Sequence, residues 1–98
     1  MYMHFSRDFD KIFEKILSKI NIELNEEEIK ILKYFIRNIS VGEILTLLDL
    51  RRMGISDPEY YIRRLTEKGL LERGEGCYNL AKELREEVFK LRRELHLY

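Results

Sequence analysis

The chain has 98 residues, room for one domain and no second. Apolar residues make up 45% and charged residues 37%, which excludes both a disordered tail and a membrane protein. Lys plus Arg and Asp plus Glu each number 18, so the formal net charge is zero; coating nucleic acid by bulk charge is excluded, but a locally basic face is not. The absence of Gln and Trp beside abundant Lys, Glu, Arg and Ile fits a heat-adapted host as well as it fits chance in a short chain. Cys77 is the only cysteine, which rules out an intrachain disulfide and a Cys-rich zinc site and leaves an inert thiol as the expectation. No apolar run approaches the ~20 residues of a membrane span. Charges begin at Arg7 with no leader-like apolar stretch before it, so a cytoplasmic location is expected.

Ser6 is placed to cap a first helix over 6–20, with Asp8 in its first turn. Phe9, Ile12, Phe13, Ile16, Leu17 and Ile20 recur along it at helical spacing. Asn25 followed by Glu28 has the spacing of a capping box and predicts a second helix, with Ile29, Leu32, Phe35, Ile36 and Ile39 inward. Ser40 and Glu43 repeat that spacing and predict a third helix carrying Val41, Ile44, Leu45, Leu47 and Leu48, ended by Gly54. Asp57-Pro58 is the firmest start signal: Asp caps, and Pro at the first helical position forgoes an N–H that had no partner. The fourth helix is expected from Pro58 to about Lys68, with Tyr61, Ile62 and Leu65 inward and Gly69 closing it.

The period then changes. Leu70–Arg73 and Cys77–Leu80 flank Gly74-Glu75-Gly76 and predict a β-hairpin. From Ala81 the helical period returns. Ala81, Leu84, Val88, Leu91, Leu95 and Tyr98 alternate steps of three and four, an a/d seam over 81–97.

The strings Ile55-Ser56-Asp57-Pro58-Glu59-Tyr60-Tyr61-Ile62-Arg63-Arg64-Leu65 and Thr66-Glu67-Lys68-Gly69-Leu70-Leu71-Glu72-Arg73 carry a resemblance. The string from Thr66 to Arg73 is similar to the exit from a recognition helix into a wing. Over about Asn25 to Leu80 the chain resembles a winged helix-turn-helix domain, in the manner of small dimeric MarR-type or short archaeal regulators. That resemblance implies a single, mainly α domain over 1–98 with a small β-hairpin wing, a core at 25–80 and flanking helices at 6–20 and 81–97. It implies sequence-specific binding of double-stranded DNA by a homodimer that regulates transcription.

On that reading the fourth helix enters the major groove. Arg63 and Tyr60 would read bases, Arg63 bidentate to guanine. Arg64, Arg51, Arg52 and Arg73 would position phosphates. Glu59 shares the exposed side, and Ser56 stands at the helix entrance, where backbone N–H groups favour a phosphate. The flanking helices would dimerise through Phe9, Phe13, Leu84, Val88, Leu91 and Leu95, setting half-sites ~34 Å apart. The competing reading is that both helices pack on the domain's own core.

The alternative reading belongs to another class. Winged-helix folds also serve as protein-protein interaction modules in larger assemblies. From Arg51 to Leu80 the charge is nearly balanced, Glu59 and Glu67 share the exposed helix side, and Glu75 sits at the wing tip, all of which favour a protein partner. On the fourth helix, a contiguous positive strip made by both protomers would favour DNA, and an exposed apolar patch rimmed by acids would favour a protein partner. No enzyme, cofactor or metal is expected. His4 and His96 lie at opposite ends, no nucleophile-base set is suggested, and Gly74-Glu75-Gly76 does not lead from a strand into a helix.

Overall fold

The computed structural model describes the backbone of residues 2–95 and the side chains of residues 9–95. The side chains of His4, Ser6, Arg7 and Asp8, and all of His96 and Tyr98, lie outside the described residues. Five helices and a three-stranded antiparallel sheet run in the order α1 (Tyr2–Lys19), α2 (Glu26–Asn38), β1 (Ser40–Gly42), α3 (Glu43–Arg52), α4 (Pro58–Glu67), β2 (Leu71–Gly74), β3 (Cys77–Leu80) and α5 (Lys82–Glu94). The arrangement is mainly helical and compatible with a winged helix, as the sequence predicts. Because α1 begins at Tyr2, Ser6 is interior to the helix and does not cap it.

The capping box on α2 is present in full. The Glu28 N–H donates to Asn25 Oδ1 at 2.8 Å and the Asn25 N–H donates to Glu28 Oε1 at 3.0 Å. Glu26, Glu27 and Glu28 place negative charge in the first turn, where the helix dipole favours it. The buried face carries Ile31, Leu32, Phe35 and Ile36, while the Ile29 position is only half-buried. The helix ends at Ile39, whose φ of 65° is a rare conformation for a β-branched residue. It is held there by two backbone bonds. The Ile39 N–H donates to Phe35 O and the Leu80 N–H donates to Ile39 O, both at 2.7 Å.

The capping box expected at Ser40 and Glu43 does not form. Ser40 is in β1 instead, and its hydroxyl bonds Asn79 Oδ1 on the neighbouring strand at 2.5 Å. Gly42 precedes α3 without a side-chain cap. The Glu43 N–H finds Gly76 O at 2.9 Å, so the hairpin loop supplies the acceptor that a capping side chain would have supplied. The predicted two-stranded hairpin is therefore a three-stranded sheet in the order β1-β3-β2, with Val41 opposite Tyr78 and Glu72 opposite Asn79.

Gly54 and Gly69 end α3 and α4 by the same device. Their φ angles are +92° and +78°. In each case the residue after the glycine donates to a carbonyl five positions back, Ile55 to Leu50 at 3.1 Å and Leu70 to Leu65 at 3.0 Å. The glycine N–H takes the carbonyl three positions back. These are Schellman turns, and in both the flanking apolar pair is buried. Pro58 opens α4 as predicted, although the Asp57 carboxylate makes no capping bond.

One core joins all layers, from Ile12 and Ile16 of α1 through Phe35, Leu50 and Leu65 to Leu80 and Val88. α5 begins at Lys82, where the Glu72 carboxylate of β2 accepts the backbone N–H at 3.1 Å and also meets Arg85 at 3.3 Å. Among the described residues, no buried side-chain nitrogen or oxygen lacks a hydrogen-bond partner. No described helix is long and apolar enough to cross a membrane.

Candidate interaction surface

α4 turns Ile62 and Leu65 into the core and leaves Glu59, Tyr60, Arg63, Arg64 and Glu67 exposed, as its periodicity requires. Tyr61 packs half-buried against the core, while Tyr60, edge-on to it at 5.1 Å, is exposed. Ser56 is exposed just ahead of Asp57 and Pro58.

The arginines predicted to meet phosphate have other partners. Arg64 reaches the buried Glu28 carboxylate at 3.6 Å and lies over the Tyr60 ring at 5.7 Å. Arg51 faces Glu59 and Arg52 faces Asp49, each at 4.0 Å. Arg73 pairs with Glu43 at 3.0 Å. Among the described residues, Arg63 is the one member of that set with no ion pair. It shares a concavity between α4 and the wing with Arg73, but Glu59 and Glu67 line the same space. Exposed pairs at 4 Å are weak, within about 1 kcal/mol each. Their effect here is on sign: a phosphate approaching α4 meets carboxylates beside nearly every guanidinium.

Glu43 is shared further. The Tyr78 hydroxyl donates to it at 3.2 Å, and burial together with the Glu43 charge pushes that hydroxyl's pKa up. The wing base is thus a Tyr78–Glu43–Arg73 cluster that ties β2 and β3 to the start of α3.

The apolar patch lies on α3, a position that sequence reasoning did not single out. Thr46 and Leu50 take the core side, and Thr46 Oγ1 donates to Gly42 O at 2.8 Å. The opposite side presents Ile44, Leu45 and Leu48, exposed by 78%, 52% and 44%. A lone exposed leucine needs no explanation, but three within five residues do. The available signal was the density of Ile44, Leu45, Leu47 and Leu48, more than one buried stripe of a short helix can hold.

At the end of α3, Met53 is exposed and borders a concavity lined by Lys30, Lys33, Tyr34 and Arg37 of α2. The Tyr34 hydroxyl bonds the Asp49 carboxylate at 2.6 Å and fixes α3 to α2. Burial and that carboxylate push the Tyr34 pKa up, so the hydroxyl stays a donor.

The residues assigned to a dimer seam are occupied within one chain. Phe9, Val88 and Leu91 are buried, and Phe13, Leu84 and Leu95 pack half-buried against the same core. Phe9 is flanked by the guanidinium groups of Arg37 at 5.0 Å and Arg92 at 5.5 Å. Lys19 pairs with Glu87 and links α1 to α5. Cys77 is half-buried. No group of three or more His, Cys, Asp and Glu among the described residues is arranged to hold a metal ion.

No curated protein matches the chain. A protein-family description does: PolB1 Binding Protein 2 matches residues 25–86, from the capping asparagine of α2 into the first turns of α5. That stretch contains the sheet, α3 with its exposed apolar side, and α4. It spans more than half of the 98 residues, and the chain belongs to the PolB1 Binding Protein 2 family.

Proposed function

We propose that the protein is a protein-protein interaction module whose partner is PolB1, and that it acts in a larger assembly without catalytic chemistry of its own. Membership of a family described by PolB1 binding supports this reading. The observation that carries it is the exposed Ile44, Leu45 and Leu48 side of α3, within the matched stretch. Leaving such a patch in water costs free energy that a partner's surface would recover. The test is calorimetric titration of the full chain with purified PolB1. Binding at micromolar concentration or tighter is expected. No heat and no co-elution at tens of micromolar would overturn the proposal.

The other reading, sequence-specific duplex DNA binding by a homodimeric regulator, has a narrower support. Arg63 and Tyr60 are exposed together on α4, and Arg63 is without an ion pair among the described residues. The neighbouring Glu59 and Glu67 weigh against it. Anisotropy with a mixed-sequence duplex at ~50 and ~200 mM salt separates the two readings, because phosphate contacts weaken steeply over that range.

A further inference from the structure

We infer that the outer side of α3 and the basic concavity beside it form one docking surface for an amphipathic helix of PolB1 with an acidic flank. The inference rests on PolB1 being the partner and adds where it docks and what it must present. Ile44 and Leu48 are one turn apart and Leu45 stands beside them, so they make a narrow apolar ridge on a ten-residue helix. The backbone of α3 is taken up by its own hydrogen bonds, so a partner must meet side chains and not main chain. A ridge of this kind packs into the groove between side-chain rows of another helix. A nucleic-acid backbone would leave these side chains in contact with charged, hydrated groups.

Charge specifies the flank. Arg51 and Arg52 stand at the C-terminal end of the ridge, with exposed side chains and only 4.0 Å pairs to hold them. Past Met53 the surface continues into Lys30, Lys33 and Arg37. The acid at this junction, Asp49, is already bonded to Tyr34 and faces Arg52. Lys33 has a pair to Asp10 at 3.4 Å, also exposed. Past Met53 the rim is therefore cationic beside an apolar strip, while Arg51 at its near end already faces Glu59. The complementary partner surface is a helix with apolar residues along one line and Asp or Glu along the side that meets Arg52 and α2.

The experiment is titration of PolB1 with the full chain and with Leu48→Asp, Ile44→Asp, Arg52→Glu and, as a distant control, Lys90→Glu, at ~50 and ~200 mM salt. All four positions are exposed, and unchanged melting curves verify that the variants fold. Leu48→Asp and Ile44→Asp are expected to weaken binding at least tenfold. Arg52→Glu is expected to weaken it severalfold and to flatten its salt dependence, while Lys90→Glu matches the parent. If the parent binds PolB1 and both α3 aspartate variants bind equally well, the docking surface is wrong and the partner assignment stands. If the parent does not bind, both fail. If Leu48→Asp abolishes self-association in sedimentation and leaves PolB1 binding intact, a second copy covers this face and the inference is overturned.

Discussion

Glu28 and Lys68, forty residues apart in sequence, meet at 2.6 Å through a carboxylate that is 1% exposed. One carboxylate closes the capping box of α2 with Asn25, accepts from Lys68 at the end of α4, and faces Arg64. It is the polar joint between α2 and α4. Buried ionic groups hold together only when each is compensated. Glu28→Ala removes the compensation from Lys68 and the acceptor of the Asn25 N–H, while the Asn25 side chain still caps the backbone N–H at position 28. Loss of about 1–3 kcal/mol is expected, because Lys68 stays partly exposed and keeps its bond to Glu23 O. Urea unfolding of the two proteins measures it, and a loss under about 1 kcal/mol would reduce the joint to an ordinary surface pair.

The same carboxylate makes stability depend on pH. Burial pushes its pKa up, but the Asn25 N–H, the Lys68 bond and charge, and the Arg64 charge outweigh that and leave it below the ordinary 4.5. The folded state therefore holds the proton less tightly than the unfolded chain. The contribution is complete above the unfolded value and is lost as pH falls through the lowered folded value. In Glu28→Gln this part of the slope is absent, so the gap in stability between parent and variant should narrow as pH falls from 6 toward ~3. A gap that stays constant over that range would mean that Glu28 titrates normally.

The joint also marks what local pattern can and cannot reveal. Asn25 with Glu28, Pro58 after Asp57, and Gly54 and Gly69 after their helices were legible, because each signal acts within five residues. Nothing local connects Glu28 to Lys68. Ser40 with Glu43 misled for a related reason. The spacing is that of a capping box, but a three-residue strand is decided by its partner, here Asn79 and Tyr78 of β3. The apolar side of α3 was visible as residues and not as a surface. Periodicity showed too many apolar positions without showing that Thr46 and Leu50 would take the core. The arginines of α3, α4 and the wing are exposed. Apart from Asp49 beside Arg52 on α3, their acid partners come from other elements, so the balance of charge over the face emerged only in three dimensions.

Gly69 is a backbone requirement and not a packing one. A Cβ there would meet no atom within 4 Å, but φ is +78°. Gly69→Ala should therefore cost about 1–2 kcal/mol from the left-handed conformation alone. For a domain of this size each kcal/mol is about 4–8 °C in melting temperature. An unchanged thermal melt would show that α4 can end without the Schellman turn.

Leu91 separates the two uses of the α5 stripe. It is 4% exposed in the single chain, in the core that α1 and α5 share. Truncation of a buried leucine costs about 2–5 kcal/mol, and Leu91→Ala should fall in that range by chemical denaturation. Light scattering should return the same mass before and after the change. A halved mass with little loss of stability would return the stripe to the role of a seam between copies.

Arg63 decides whether α4 touches DNA at all. With Arg51, Arg52, Arg64 and Arg73 each facing a carboxylate, it is the guanidinium of that set that a base or phosphate could engage without displacing an acid. A base-reading role predicts that Arg63→Ala loses about 1–3 kcal/mol of affinity for a preferred duplex and relaxes preference at one position. A phosphate role predicts a uniform loss and a salt slope smaller by about one. If α4 is only the scaffold behind a protein-docking surface, Arg63→Ala leaves both PolB1 binding and any residual duplex binding unchanged. Anisotropy at ~50 and ~200 mM salt, run beside the PolB1 titration, tells these three apart because each alters a different quantity: sequence preference, salt slope or neither.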